Sequence, residues 1–365
     1  MPLSQIQLSE ASGRRNLIIN GAMQIFQRAT AATAAGTSYS TVDRFKPDTS
    51  TDGAFTTEKS TDNPFGTGSS LKAQVTTADT SLAATQYARI LQNIEAQNLQ
   101  HLLYGTSSAK TLTLSFWVKS SKTGIYSITL RKPDNTTYVF THEYTISSAN
   151  TWEKKVITIT PTAGSTSFIT ASAGAIANDT GLGLELSFAL GQGSTYAIGT
   201  SNTWSSNTAT YASSNQVNWM DNTSNNFYLT QVQLETDSLT EFEHRSFAEE
   251  LELCKRYFER IDSLSSSSSI IGVGFQYNND PQSIYESKFT EKRATPSLAV
   301  SNVSHLQRIR AGTSGVNSNI TGLSFNGTNK IGTLHDVSSQ TNNLGDGCYL
   351  RFQNTSGTLD YDAEL

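Results

Sequence analysis

Apolar residues in this chain recur mostly at every second position, in short runs set apart by Ser, Thr, Asn and Gly. That period belongs to strands with one buried face. The clearest run is Thr111–Lys119, in which Leu112, Leu114, Phe116 and Val118 share a face. Ile125–Arg131 follows the turn-like Lys122-Thr123-Gly124, so the two runs predict a hairpin. Thr136–Phe140 follows a second turn signal, Pro133-Asp134-Asn135. Leu71, Ala73 and Val75 alternate, as do Leu184, Leu186, Phe188 and Leu190, and Trp152–Thr160 and Phe227–Glu235 are further strands. Asn16–Gly21, continuing to Met23, Ile25 and Phe26, predicts the opening strand, while Tyr87–Leu102 fits a helix or a strand. Regular short strands with such turns predict a jelly-roll β-sandwich. Strict internal repeats are absent, which argues against a solenoid.

One segment departs from the two-residue period. Ser246–Ile261 predicts a helix: Ser246 and Glu249 form a capping box, Glu249, Glu250 and Glu252 favour its start, and Lys255, Arg256 and Arg260 favour its end. Phe247, Leu251, Cys254, Phe258 and Ile261 fall four, three, four and three apart, a heptad seam. The stripe suits an amphipathic helix lying on its own domain or a short oligomer seam. Phe at two seam positions is bulky for a two-stranded coil, so the second reading predicts a homotrimer. Beyond the helix, Ser265–Ser269 is a joint. Ile271, Val273, Phe275 and Tyr277 alternate, followed by Ile284–Phe289, Ser297–Val300, Leu323–Phe325 and Cys348–Phe352. The expected plan is all-β: an arm at 1–15, a large jelly-roll sandwich at 16–245, one short helix at 246–262 and a small C-terminal β-sandwich at 263–365.

Composition narrows the function. The 365 residues carry 26 basic and 31 acidic side chains, a formal net charge of -5. No basic stripe marks a nucleic-acid face. No apolar run is long enough to span a bilayer, so membrane insertion is not expected. Cys254 and Cys348 read as buried thiols rather than a disulfide framework. The five histidines are scattered, and no nucleophile elbow, phosphate loop or zinc-protease motif occurs. The chain is therefore expected to be neither an enzyme nor a holder of a metal or cofactor. A capsule-cleaving activity would need two carboxylates across a groove, which spacing alone does not pair. Sugar binding has a better physical case, since aromatic rings stack on the C–H face of a pyranose while amides and hydroxyls bond its hydroxyls. Tyr196, Trp204, Tyr211 and Trp219, set among Ser and Asn in Gly191–Asn226, are the candidate carbohydrate-binding residues. The competing reading is that these rings anchor a long loop. Trp117 and Trp152, in strand-like segments, read as packing residues.

Two resemblances add to this. Asn16–Gly21 (NLIING) and Phe227–Glu235 (FYLTQVQLE) look like the opening and closing strands of sugar-binding jelly-roll modules. Such modules hold a structural calcium through acids near both strands. Gln24 and Gln231 stand where those acids would be, so calcium is not carried over. Asn16–Arg28 (NLIINGAMQIFQR), Thr41–Phe45 (TVDRF), Thr111–Ser121 (TLTLSFWVKSS) and VQLE…EFEHRSFAEELELCKRY between Val232 and Tyr257 resemble a family of bacteriophage and prophage tail-fibre-like proteins, as do Arg293–Pro296 and Asp362–Leu365. That resemblance implies a virion appendage subunit, trimeric, with other virion proteins and a host-surface glycan as partners. The alternatives are a sugar-binding module of cellular origin and a polysaccharide-degrading tailspike.

Overall fold

A computed structural model describes residues 15–164, 167–263, 269–276, 282–310, 317–326, 329–330, 332–338 and 345–365. Nearly all of the expected arm, most of the serine run and Tyr277 lie outside the described residues. The chain forms two units, one running to Glu250 and including Leu365, the other Leu251–Glu364.

In the first unit, alternating side chains build two six-stranded sheets. The first runs in the order β1 (Thr33–Ala34), β3 (Ala54–Ser60), β4 (Ser70–Thr77), β14 (Asn226–Thr236), β6 (Leu112–Ser120), β9 (Glu153–Ile159). The second runs β12 (Thr203–Ser205), β8 (Tyr138–Ile146), β7 (Gly124–Lys132), β10 (Leu182–Gln192), β5 (Tyr87–Glu95), β2 (Lys46–Ser50). The neighbours in both sheets are antiparallel. This is the jelly-roll sandwich. Leu112, Leu114, Phe116 and Val118 of β6 face Leu184, Leu186, Phe188 and Leu190 of β10 in one core. Phe116 joins the layers edge-on, 5.1 Å from both Phe188 and Tyr144. Tyr87–Leu102 divides into β5 and a 3₁₀ turn, Ala96–Leu102. A short parallel pair, β11 (Ala197–Gly199) and β13 (Ala212–Ser213), completes the unit.

Two expectations need correction here. β6 and β7 are not a hairpin: β6 pairs with β14 and β9, β7 with β10 and β8, so the Lys122–Gly124 link carries the chain between sheets. The hairpin is β7–β8, closed by Pro133-Asp134-Asn135. The predicted opening strand is also absent. Asn20 and Met23 take left-handed backbone (φ 60° and 53°), which breaks an extended run. Side chains take over the ladder's work. Asn16 accepts from the N–H groups of Ile18 and Leu234 and donates to the Val232 carbonyl. Asn20 accepts from Gln24 and Ile25 and donates to the carbonyls of Ile25 and Asp43. Gly21 lies so close to β14 that a Cβ there would sit 2.1 Å from the Val232 carbonyl oxygen.

The helix is shorter than its pattern. α1 covers Phe247–Lys255, with the Ser246 hydroxyl accepting from the Glu249 N–H. Phe258 and Ile261 belong instead to β15 (Phe258–Asp262), paired along its length with β24 (Thr358–Asp362). Ladder hydrogen bonds and burial of Phe258 outweigh a propensity worth only tenths of a kcal/mol per residue. The heptad seam is therefore not one helical stripe. Phe247 is 58% exposed, Cys254 and Phe258 are buried, and Ile261 packs on the second unit's own core.

That second unit is a small sandwich. β15, β24 and β18 (Ser297–Val300) form one sheet. The other is seven-stranded in the order β20 (Asn317–Asn319), β19 (Leu306–Arg310), β23 (Gly347–Phe352), β16 (Ile270–Gln276), β17 (Gln282–Lys288), β22 (Gly332–Ser338), β21 (Gly322–Asn326). Tyr285, Leu306, Leu350 and Phe352 meet Leu359 and Tyr361 between them. Cys254 and Cys348 are buried and not joined in a disulfide.

Lys132 is fully buried, its ammonium donating to the carbonyls of Asp134, Ala173 and Ala175. Burial pushes its pKa down to about 8, against a smaller opposing pull from Asp134. Between that value and the ordinary 10.5 the unfolded chain binds more protons than the folded one, so stability rises with pH across this window. Burial lowers Lys292 as well, in the same sense. Thermal unfolding from about pH 8 to about pH 9.5 should show a rising midpoint, and Lys132→Met should flatten that rise. A slope unchanged in the variant would assign the effect elsewhere.

Candidate functional site

The four rings picked from the sequence separate into two pairs. Trp204 and Trp219 are fully buried members of the sandwich core. The Trp204 indole donates to the Thr160 carbonyl at 3.0 Å, and its ring lies 5.5 Å from Phe140. Trp219 packs edge-on against Phe55 at 5.7 Å. Neither has a face on which a sugar can stack, so in this fold they anchor the long loop. Tyr196 and Tyr211 do come together, stacked at 4.5 Å, with Tyr87 edge-on to both. The Arg89 guanidinium lies 4.0 Å from the centre of the Tyr211 ring, so Tyr211 has both faces occupied. Arg89 is itself buried between Asp48 and Glu185. The three rings pack mainly on one another and on Arg89, and each keeps only a partly exposed edge.

The outer face of the first sheet is different. The inward positions of β6 leave Trp117 pointing outward, between Lys154 of β9 and Thr230 of β14. It borders a half-open hollow of about 460 Å³. Phe65, 51% exposed, meets the Trp117 ring edge-on at 5.4 Å. Phe242 and His244, edge-on to each other at 4.9 Å, line the hollow as well. Lys154, Gln231 and Glu241 supply polar heads. Among the described residues, the side chains of Lys154, Gln231, Glu241 and His244 and the Trp117 indole N–H make no hydrogen bond or ion pair. Polar groups that converge on an aromatic ring without partners of their own are the makings of a ligand site.

Each wall has a local cause. Gln231 sits on a bulge: the β14–β6 register slips between Thr230 and Gln233, and Gln231 takes φ 48°. A bulge re-aims a side chain, and a left-handed non-glycine residue is a backbone the surroundings must hold. They hold it through Val232, which is buried in the core and bonded at N–H and carbonyl to Gly21 and Asn16. Gln233, also buried, accepts from the Glu243 N–H and donates to the Glu241 carbonyl, which positions Phe242. The loop that brings Phe65 is braced by Asn63, which accepts from the Phe65 N–H, and by Gly66 and Gly68 at φ 73° and 109°.

Sequence reasoning did not single out this hollow, although a signal was present. If Leu112, Leu114, Phe116 and Val118 face inward, Trp117 must face outward. The bulge and the Phe65 loop had no comparable signal.

No family model matches the sequence, and no curated protein matches it. Solved structures that resemble the chain include a putative sugar binding protein from Bacteroides thetaiotaomicron, at 15% identity and a TM-score of 0.33 over 61% of this chain and 100% of that one. The bacteriophage CBA120 tailspike protein 4 enzymatically active domain matches at 12% identity and 0.31, over 61% of this chain and 21% of that one. A family 11 carbohydrate-binding module from Clostridium thermocellum, in complex with a mixed-linked tetrasaccharide, matches at 12% and 0.28, over 59% and 99%.

The two kinds of tryptophan predict opposite outcomes. Trp204→Ala opens a core cavity and should lower unfolding stability by about 3–5 kcal/mol. Trp117→Ala should cost under about 1.5 kcal/mol, because its ring is half outside. Chemical denaturation of both variants checks the ranking, and a Trp117 loss as large as that of Trp204 would make the ring a packing residue.

Proposed function

We propose that the chain is a subunit of a virion appendage whose jelly-roll unit holds a host-surface glycan on the outer face of its first sheet. The observation that carries the binding reading is the unpaired Lys154, Gln231, Glu241 and His244 gathered around Trp117 and Phe65. A ring for the C–H face of a sugar and several donors and acceptors for its hydroxyls are what pyranose recognition requires. Glu241 is the one carboxylate of the lining, and glycoside hydrolysis uses two, so the reading is binding without cleavage. The virion role rests on the resemblance of the NLIING, TVDRF and EFEHRSFAEE segments to tail-fibre-like proteins. Assembly in the host cytoplasm and residence in the particle follow from that role.

A homotrimer remains part of the proposal, but not through the helix seam. On β16, Ile270, Val273 and Phe275 are 60%, 66% and 52% exposed. Tyr349, Ile309 and Ile284 stand half-exposed on the neighbouring strands, Val273 opposite Tyr349 and Phe275 opposite Ile284. Apolar side chains gathered on one sheet face mark an association surface, and a second copy is the partner proposed.

Two measurements test these readings. On an array of bacterial surface glycans, the wild type should bind a defined subset, and Trp117→Ala should lose at least about tenfold in affinity while unfolding cooperatively like the wild type. Retained binding in that variant would sink the site, and release of reducing ends would sink the non-catalytic reading. In light scattering, the wild type should have the mass of a trimer and Val273→Asp with Phe275→Asp should not, because buried unpaired charge is heavily penalised. A monomeric wild type at micromolar concentration would overturn the oligomer.

A further inference from the structure

We infer that the site extends beyond the hollow: Trp152 and Tyr228 form a second platform one row along β6, and the ligand is a linear oligosaccharide whose neighbouring neutral sugar lies there. This inference rests on the glycan reading of the hollow. Trp117 lies in a row with Lys154 and Thr230. Two residues along the same strand and on the same face, Lys119 lies opposite Tyr228, and Trp152 immediately precedes Glu153, the partner of Val118. Positions two apart on a strand are separated by roughly 7 Å, so rings in successive rows can meet successive stretches of one extended chain.

The second row is built rather than incidental. The Lys119 ammonium lies 4.3 Å from the centre of the Tyr228 ring and 5.3 Å from that of Trp152. Asp62 accepts from Lys119 and, at 2.9 Å, from the Trp152 indole N–H. Burial works against its ionisation, but these two hydrogen bonds hold the Asp62 carboxyl below its usual range. The indole is thus oriented by the protein and spends its donor there. Its neighbour Tyr228 stands 6.0 Å away at 66°. Both rings stay half-exposed, and the Tyr228 hydroxyl has no hydrogen-bond partner among the described residues. The charges alongside are matched, Lys119 by Asp62 and Lys72 by Glu58 at 2.7 Å. What this row offers a ligand is therefore ring surface and one hydroxyl, which suits an uncharged pyranose. The loop that carries Asp62 to this row also carries Phe65 to the hollow, so one segment braces both.

The test is an array of bacterial surface glycan fragments graded from one to about six sugar residues. Wild-type binding should strengthen by roughly three- to tenfold on going from one residue to two or three, the increment of one added ring contact. Trp152→Ala should keep single-residue binding and lose that increment. Trp152→Phe should keep most of it, and Tyr228→Phe, which removes only the hydroxyl, should lose part of it. Binding independent of fragment length, or an increment intact in Trp152→Ala, would overturn the inference while leaving the hollow in place. A wild type that binds no fragment, or Trp117→Ala binding as the wild type does, would overturn the glycan reading and this inference with it.

Discussion

Much of the first unit hangs on the way Asn16 bonds to β14. One buried amide side chain serves the Ile18 and Leu234 N–H groups and the Val232 carbonyl, doing the work of a ladder position without being in a strand. Its own backbone is held in turn, the N–H by Glu243 and the carbonyl by Arg245. Glu250, from the first turns of α1, accepts from the Asn20 N–H and from Arg245. Segments more than two hundred residues apart in sequence are thereby tied at one point. Buried polar groups of this kind are costly when one partner is removed, so losing one member weakens the rest.

The same tie sets the geometry of the candidate site. With Val232 bonded to Asn16 and Gly21, β14 cannot run straight against β6, and the register slips. The slip leaves Val232 in the core and turns Gln231 outward on left-handed backbone. Gln233, one step further, fastens the segment carrying Phe242. Strain at Gln231 is thus held by contacts made on the opposite side of the strand from the ligand face. A hollow supported in this way holds its shape from within the fold, which would limit the ordering penalty of binding a ligand there.

How much of this could be read from the sequence depended on how local the cause was. Alternation in β6 and β10 has a cause within each strand, and those strands and their inward faces were legible. The β7–β8 turn carries its own chemistry in Pro133-Asp134-Asn135 and was legible too. The hairpin expected between β6 and β7 failed because sheet membership depends on which strands arrive from elsewhere, here β14, β9, β8 and β10. The opening strand failed because Asn16 and Asn20 bond to backbone tens or hundreds of residues away, and nothing near them in sequence shows it. The helix pattern ran past its true end because β24, about a hundred residues on, supplies a ladder partner for Phe258–Asp262, which nothing local shows. The loop tryptophans misled for a related reason. A large ring among Ser and Asn reads as exposed, yet Trp204 and Trp219 are what hold that loop to the core.

A candidate site on a sheet face rather than on loops has a physical consequence. Side chains on β6, β9 and β14 are spaced by backbone hydrogen bonds, so rings at Trp117 and Tyr228 are set by the register of three paired strands rather than by loop conformation. That spacing suits a repeating polymer better than an isolated small molecule, because successive rows present themselves at a fixed interval. The exposed apolar side chains of β16, by contrast, belong to the other unit. The proposed binding face and the proposed association face thus lie on separate cores. In an oligomer each copy would carry its own sheet face. Weak single contacts to a surface polymer would then combine, because linked sites raise the effective concentration of the next contact.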